Sequence, residues 1–173
     1  MNNASMKTRG IISLLAAVLL MVACSGGYSF TGASIPPGAK TISVETIVNL
    51  ASTVNPQLSQ KMTDELKNMF ASQTPLDVTT DNGDLQLSGE ITNYETRTAA
   101  LSSNDEVSMN RLTITIKIHF TNTIDPDASF DQSFSRYRDY SASLDFSAVE
   151  SNLVVEIVNE LCEDVFNKAV VNW

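Results

Sequence analysis

The sequence predicts an α+β domain: a four-stranded mixed β-sheet with two helices packed on one face, in the order β-α-β-β-β-α. Three observations carry this. Leu112, Ile114, Ile116, Ile118 and Phe120 alternate strictly with Thr113, Thr115, Lys117, His119 and Thr121, the period-two pattern of a strand with one buried and one wet face. Two stretches, one in the first half of the chain and one closing it, repeat apolar residues at helical spacing. Finally, a strand, a crossover helix and a second strand in one sheet run parallel with a right-handed crossover, whereas strands joined by turns pair antiparallel. Packing both helix stripes on one sheet face leaves the threonine-rich face of the third strand open.

The elements follow in order. Strand one is read from about Lys40 to Ile47, where Ile42 and Val44 sit two apart among Thr and Ser. Asn55-Pro56 supplies an N-cap and a proline at the first helical position. Leu58, Met62, Leu66, Met69 and Phe70 then form the apolar stripe of a helix that runs to about Ser72, with Lys61, Asp64, Lys67 and Asn68 on its other side. Asp81-Asn82-Gly83-Asp84 reads as a turn, and Leu85 to about Thr96 as strand two, with Gly89 as a candidate bulge. Residues 99–108 are a polar connection to strand three, and Asp125-Pro126-Asp127 turns the chain into strand four, Phe130 to Tyr140. Ser147-Ala-Val-Glu150 has the spacing of a capping box. From there Val149, Leu153, Val154, Ile157, Val158, Leu161, Cys162, Val165, Phe166 and Trp173 mark one face of an uninterrupted helix, roughly 37 Å long at 1.5 Å per residue.

The first residues are excluded from the fold. Lys7 and Arg9 precede the apolar run Ile11 to Val22, which is too short to span a bilayer core of roughly 30 Å but matches a secretory signal. Met6 is as good a start as Met1, since both basic residues lie after it. The run ends Met21-Val22-Ala23-Cys24. This resembles a lipobox, with Met21 where Leu is usual. The resemblance implies cleavage of residues 1–23 and lipid attachment to Cys24. Two or more buried acyl chains anchor stably where one does not. No acidic residue follows the cysteine directly, which by resemblance to lipoprotein sorting implies the outer membrane, periplasmic face. Residues 24–39, rich in Gly, Ser and Pro, read as a linker, and residues 40–173 as a single domain.

Composition narrows the chemistry. Removing Lys7 and Arg9 takes the formal charge from −9 to −11, which argues against nucleic acid and anionic lipid surfaces as partners. Cys162 is the only cysteine besides Cys24 and falls on a helical apolar stripe, so it reads as a core residue. The single histidine, His119, lacks the companions of a metal site or a catalytic triad. Asp81 to Asp84 lacks the later ligands of a calcium loop. Glu156, Glu160, Glu163 and Asp164 read as a solvated helix face. No catalytic residue, metal or cofactor is expected. Arg136 and Arg138 share a strand face among tyrosines and are candidate contacts for the phosphates of lipopolysaccharide. The plainer reading pairs them with local acids such as Asp131 and Asp139.

The segments YSFTGASIPP (28–37), VNPQLSQ (54–60), MNRLTITIKIHFTNTIDP (109–126), QSFSRY (132–137) and CEDVFNKAVVNW (162–173) resemble the LptE family of lipopolysaccharide-assembly lipoproteins, in a divergent branch. The resemblance covers nearly all of the mature chain. It implies a non-enzymatic protein that plugs the outer-membrane β-barrel LptD, supports its assembly, and assists transport of lipopolysaccharide to the cell surface. On that view the open face of strand three, Thr113, Thr115, Lys117 and His119, is the candidate barrel-facing surface. The alternative is a periplasm-facing carrier lipoprotein that holds a lipid between helices and sheet.

Overall fold

The computed structural model describes residues 35–53, 55–100 and 108–171. Cys24, the signal segment and Trp173 lie outside the described residues. The chain builds strands β1 (Thr41–Val44), β2 (Val48–Asn49), β3 (Asp77–Thr79), β4 (Leu85–Ala100), β5 (Met109–Asn122) and β6 (Phe130–Ser141), with helices α1 (Leu58–Gln73) and α2 (Phe146–Val170). The sheet therefore has six strands rather than the four expected. The two extra strands, β2 and β3, are two and three residues long, too short for an alternating pattern to register. Both are parallel additions beside the first strand. β3 pairs with β1, and β2 pairs with β4 just beyond the end of β1.

The expected parallel pair is present, with Ile42 opposite Leu85 and Val44 opposite Leu87. The β4-β5-β6 meander is antiparallel, and the strand order is β3-β1-β4-β5-β6. Strict alternation in β5 buries Leu112, Ile114, Ile116, Ile118 and Phe120 under the helices. Phe70 of α1 meets Phe166 of α2 with ring centroids 5.2 Å apart. Cys162 is fully buried, its Sγ 3.4 Å from Met62 Sδ, as a core residue should be. Leu58, Met62, Leu66 and Phe70 of α1, with Ile157, Leu161 and Val165 of α2, are wholly buried in one continuous core with the sheet. The carrier reading needs space for an acyl chain at this interface, where these side chains are wholly buried.

The helix starts differ from expectation. α1 begins at Leu58 after Gln57, and Asn55 instead accepts from the Gln57 backbone N–H. α2 begins at Phe146 after the cap Asp145, whose carboxylate accepts from the Ser147 N–H at 3.0 Å. Glu150 is thereby released from a capping box. It accepts from Asn55 Nδ2 at 2.9 Å and from the Tyr94 hydroxyl, joining the starts of both helices to β4. Thr63 does similar work inside α1. Its hydroxyl donates to the Ser59 carbonyl and accepts from the Ile47 N–H, tying the chain after β1 to the helix.

Gly89 is not the bulge. The register shifts in β4 fall between Ile91 and Asn93, at Thr92, and between Thr98 and Ala100. Gly89 is needed for close approach instead, because a Cβ there would lie 2.6 Å from the Lys117 carbonyl oxygen. The turn at Asp81 to Asp84 clasps the start of β1. The Asp84 carboxylate accepts from the N–H groups of Lys40 and Thr41 and from the Thr41 hydroxyl. Those donors hold its pKa below the usual carboxylate range.

Candidate functional site

The open face of the sheet is built from three columns of polar side chains on β4, β5 and β6. Its composition follows from alternation and the first of the two irregularities in β4. On β4, Gln86, Ser88 and Glu90 stand opposite Thr121, His119 and Lys117. The extra residue at Thr92 reverses the parity, so Asn93, Glu95 and Arg97 then stand opposite Thr115, Thr113 and Arg111 on the same face. On β6, Asp131, Ser133, Ser135, Tyr137 and Asp139 complete the third column. The four residues Thr113, Thr115, Lys117 and His119 thus line the middle column, each half-buried between polar neighbours.

This face is tied together by side chains. His119 Nδ1 lies 2.6 Å from Asp131 Oδ1, and the Thr115 and Ser135 hydroxyls lie 2.9 Å apart. Arg111 reaches both oxygens of Asp139, at 2.7 and 2.9 Å, with its guanidinium 3.7 Å above the Tyr137 ring. The hydrogen bond to Asp139 raises Arg111 above its ordinary pKa and lowers Asp139 below its own. Arg97 pairs with Glu95 along the same strand. Lys117 makes no ion pair among the described residues. Tyr137 is the one exposed large hydrophobic residue on these columns. The surface is flat, polar and braced.

Arg136 and Arg138 lie on the opposite, helix-bearing side of β6. Arg136 binds Asp164 bidentately at 2.6 Å for both contacts. Arg138 reaches Glu156 at 2.7 Å and both carboxylate oxygens of Glu160. The partners are not Asp131 and Asp139, which alternation places on the open face with His119 and Arg111. Nor are Glu156, Glu160 and Asp164 a merely solvated helix face, since they clamp α2 to the edge strand. A phosphate using these guanidiniums must displace those carboxylates. Arg97 and Arg111 went unnoticed in the sequence, where Tyr137 reads only as a neighbour of Arg136 and Arg138. Their signal lay in the register beyond Thr92, which a single strand cannot reveal.

Chemistry of other kinds finds little purchase here. Among the described residues no group of three or more His, Cys, Asp and Glu side chains could hold a metal ion. A polar cleft of about 160 Å³ opens between the starts of α1 and α2, lined by Asn55, Gln57, Lys61 and Glu150. It is smaller than the roughly 300–1,000 Å³ of ordinary small-molecule sites, whereas an open groove of about 440 Å³ runs between β6 and α2, lined by Gln132, Ser135, Arg136 and Lys168. Among the described residues no helix is long and apolar enough to cross a membrane.

A family model described as "LptE: Lipopolysaccharide-assembly" matches residues 39–169. Nothing among curated proteins matches the sequence. Solved structures with similar folds include the uncharacterized lipoprotein B of Nitrosomonas europaea, with 12% identity, TM-score 0.53, and 79% of this chain and 83% of that one covered. A hypothetical protein of Chlamydia trachomatis aligns with 9% identity and TM-score 0.52 over 78% of this chain and all of its own. A Xanthomonas campestris protein aligns with 13% identity and TM-score 0.51, covering 79% and 91%. At such identities these structures speak for the fold alone.

Proposed function

The chain belongs to the LptE lipopolysaccharide-assembly family, and from that premise we propose that it plugs and supports an outer-membrane LptD barrel through the open face of its sheet. The family is one of non-enzymatic outer-membrane lipoproteins, and its members act in lipopolysaccharide assembly. The more specific reading is that Cys24 carries the lipid and holds the domain at the periplasmic side of the outer membrane. From there the domain enters the wet lumen of the barrel.

The observation that carries this reading is the open face itself. It spans three strands, shows one large hydrophobic side chain, Tyr137, and braces its polar groups with the His119–Asp131, Thr115–Ser135 and Arg111–Asp139 contacts. Barrel lumens are lined by polar side chains and water. A face with preset polar groups meets such a wall without burying unpaired charge.

A photo-crosslinker placed singly at Thr113 or Lys117, in the native cell, tests the reading. A control crosslinker goes at Glu163, on the exposed side of α2. Recovery of a large β-barrel from the two sheet positions but not from Glu163 is the expected result. A barrel captured only from Glu163 would move the contact to the helices, and no barrel from any position would end the plug assignment.

A further inference from the structure

We propose that β6 is a self-pairing edge, through which two copies of this chain join their sheets antiparallel about a twofold axis at Phe134. β6 ends the sheet, and among the described residues no strand pairs with its outer side. It is twelve residues long, against three for β3 at the other edge, and its pairing with β5 has no register break. Proteins usually blunt such edges with bulges, prolines, or lysines at the centre. β6 has no bulge, proline or lysine, its inward-pointing charges Arg136 and Arg138 are neutralised by carboxylates of α2, and its middle is Ser133, Phe134 and Ser135.

The backbone groups that face outward can be identified. The Thr115 carbonyl accepts from the Thr92 hydroxyl, so Thr115 directs its backbone toward β4. Ser135, directly opposite, then directs its own N–H and C=O away from β5. The same holds for Asp131, Ser133, Tyr137 and Asp139. In agreement, the Tyr137 carbonyl is free to accept from Arg138 Nη1 at 3.0 Å.

Charge selects both the partner and the register. A continuous sheet requires open-face residues to stand opposite open-face residues. Among registers that keep most of β6 paired, centring on Ser135 sets Asp131 against Asp139. Centring on Arg136 sets that arginine against itself, and centring on Tyr137 sets Arg136 against Arg138. Centring on Ser133 avoids like charges but pairs only Phe130 to Arg136, seven residues, whereas centring on Phe134 avoids them and pairs Phe130 to Arg138, nine residues. It places Asp131 opposite the partner's Tyr137, Gln132 opposite the partner's Arg136, and Ser133 opposite the partner's Ser135. The groove beside this point is lined on the helix side by Asp164, Asn167 and Lys168. A twofold axis there turns each Lys168 toward the partner's Asp164. The edge is thus complementary to itself, which is what a closed twofold pair requires. The proposal concerns the edge and not the open face, so it stands or falls apart from the barrel reading.

The test uses the full chain purified in mild detergent, without any barrel. Light scattering on a concentration series should show a dimer. Ser135→Pro removes an outward N–H and no bond to β5. By symmetry it deletes two intersubunit hydrogen bonds, so it should weaken the dimer at least about tenfold. A mixture of Ser133→Cys and Ser135→Cys proteins should form a disulfide-linked pair under mild oxidation, with far less from either alone. That second measurement stands even if the proline variant does not fold. A monomer at all concentrations overturns the proposal. So does a dimer that neither responds to Ser135→Pro nor crosslinks in the mixture, or a disulfide to some other protein.

Discussion

Replacing Arg138 by Met should loosen β6 from α2 in a way that salt and acid both report. The guanidinium contacts Glu156 at 2.7 Å, both oxygens of Glu160, and the Tyr137 carbonyl at 3.0 Å. The side chains of Arg138, Glu156 and Glu160 are 30%, 57% and 36% exposed, so water screens the pairs and the surface scale applies, about 0.2–1 kcal/mol each. Met keeps the aliphatic packing and removes the charge. Glu156 and Glu160, one helical turn apart, are left with an uncompensated repulsion of about 0.2–0.5 kcal/mol. The total is roughly 1–2 kcal/mol, a fall in Tm of about 2–8 °C for a chain of this size.

The assay is urea unfolding of parent and variant at low and high salt, with Glu160→Gln completing a double-mutant cycle. Because the Debye length shrinks to about 3 Å at 1 M salt, the difference should narrow there. The pH response has a definite sign. Arg138 holds the Glu160 carboxyl below its usual range. The pair therefore contributes fully above the unfolded value of 4.5 and is lost as pH falls through the lower folded value. Parent and variant should converge in acid. A difference that ignores both salt and acid, or a coupling energy of zero with Glu160→Gln, would show that the clamp contributes packing alone.

Three further outcomes are expected. Gly89→Ala should cost about 1–3 kcal/mol in urea unfolding, because the added Cβ meets the Lys117 carbonyl oxygen at 2.6 Å and Ile118 Cδ1 at 2.8 Å; a neutral substitution would mean that β4 and β5 can separate freely. Tyr94→Phe should cost about 1–2 kcal/mol at neutral pH by removing the donor to Glu150. Burial and the Glu150 contact raise the Tyr94 pKa above its ordinary value of 10.0, so the unfolded chain loses that proton first. Parent stability should fall as pH rises past about 10, and denaturant midpoints on either side should show a smaller fall in the Phe variant. Cys162 is wholly buried and burial pushes its thiol up. A thiol reagent should modify it only at the rate of unfolding, and modification as fast as that of a free thiol would reveal local opening of the α1–α2 interface.

What the sequence disclosed depended on how far each signal extends along the chain. β5 and the two helices were legible because their apolar residues repeat over many positions, and burial follows the pattern at most of them, with Val149 half-buried and Trp173 outside the described residues. β2 and β3 were not, since two or three residues carry no period and owe their strand character to the edge beside them. The partners of Arg136 and Arg138 were misassigned because nearness in sequence was weighed above alternation. Asp131 and Asp139 sit an odd number of residues away, so the pleat turns them to the other face. The true partners on α2 lie 18 to 28 residues on, found only when that helix packs on the sheet. The open face was legible in its middle column alone. Its β4 column depends on the bulge at Thr92, and Thr92 itself bears no glycine or proline to announce it.

The same sorting by topology changes what the acidity of the chain means. A formal charge of −9 suggests a surface that repels anionic partners everywhere. On the open face, however, Glu90, Glu95, Asp131 and Asp139 stand among Arg97, Arg111 and Lys117, and Asp139 is already bound to Arg111. Exposed acids without close cations, such as Asp125, Asp127, Asp145 and Glu163, lie in turns and on α2. Charge–charge repulsion between exposed groups fades over about 8–10 Å at ordinary ionic strength. The field at the open face is therefore set mainly by its own near-balanced columns and not by the helices behind it. Net charge computed from composition discourages contact with an anionic glycolipid or a polar barrel wall. The arrangement of those charges removes that objection at the one surface the helices leave uncovered.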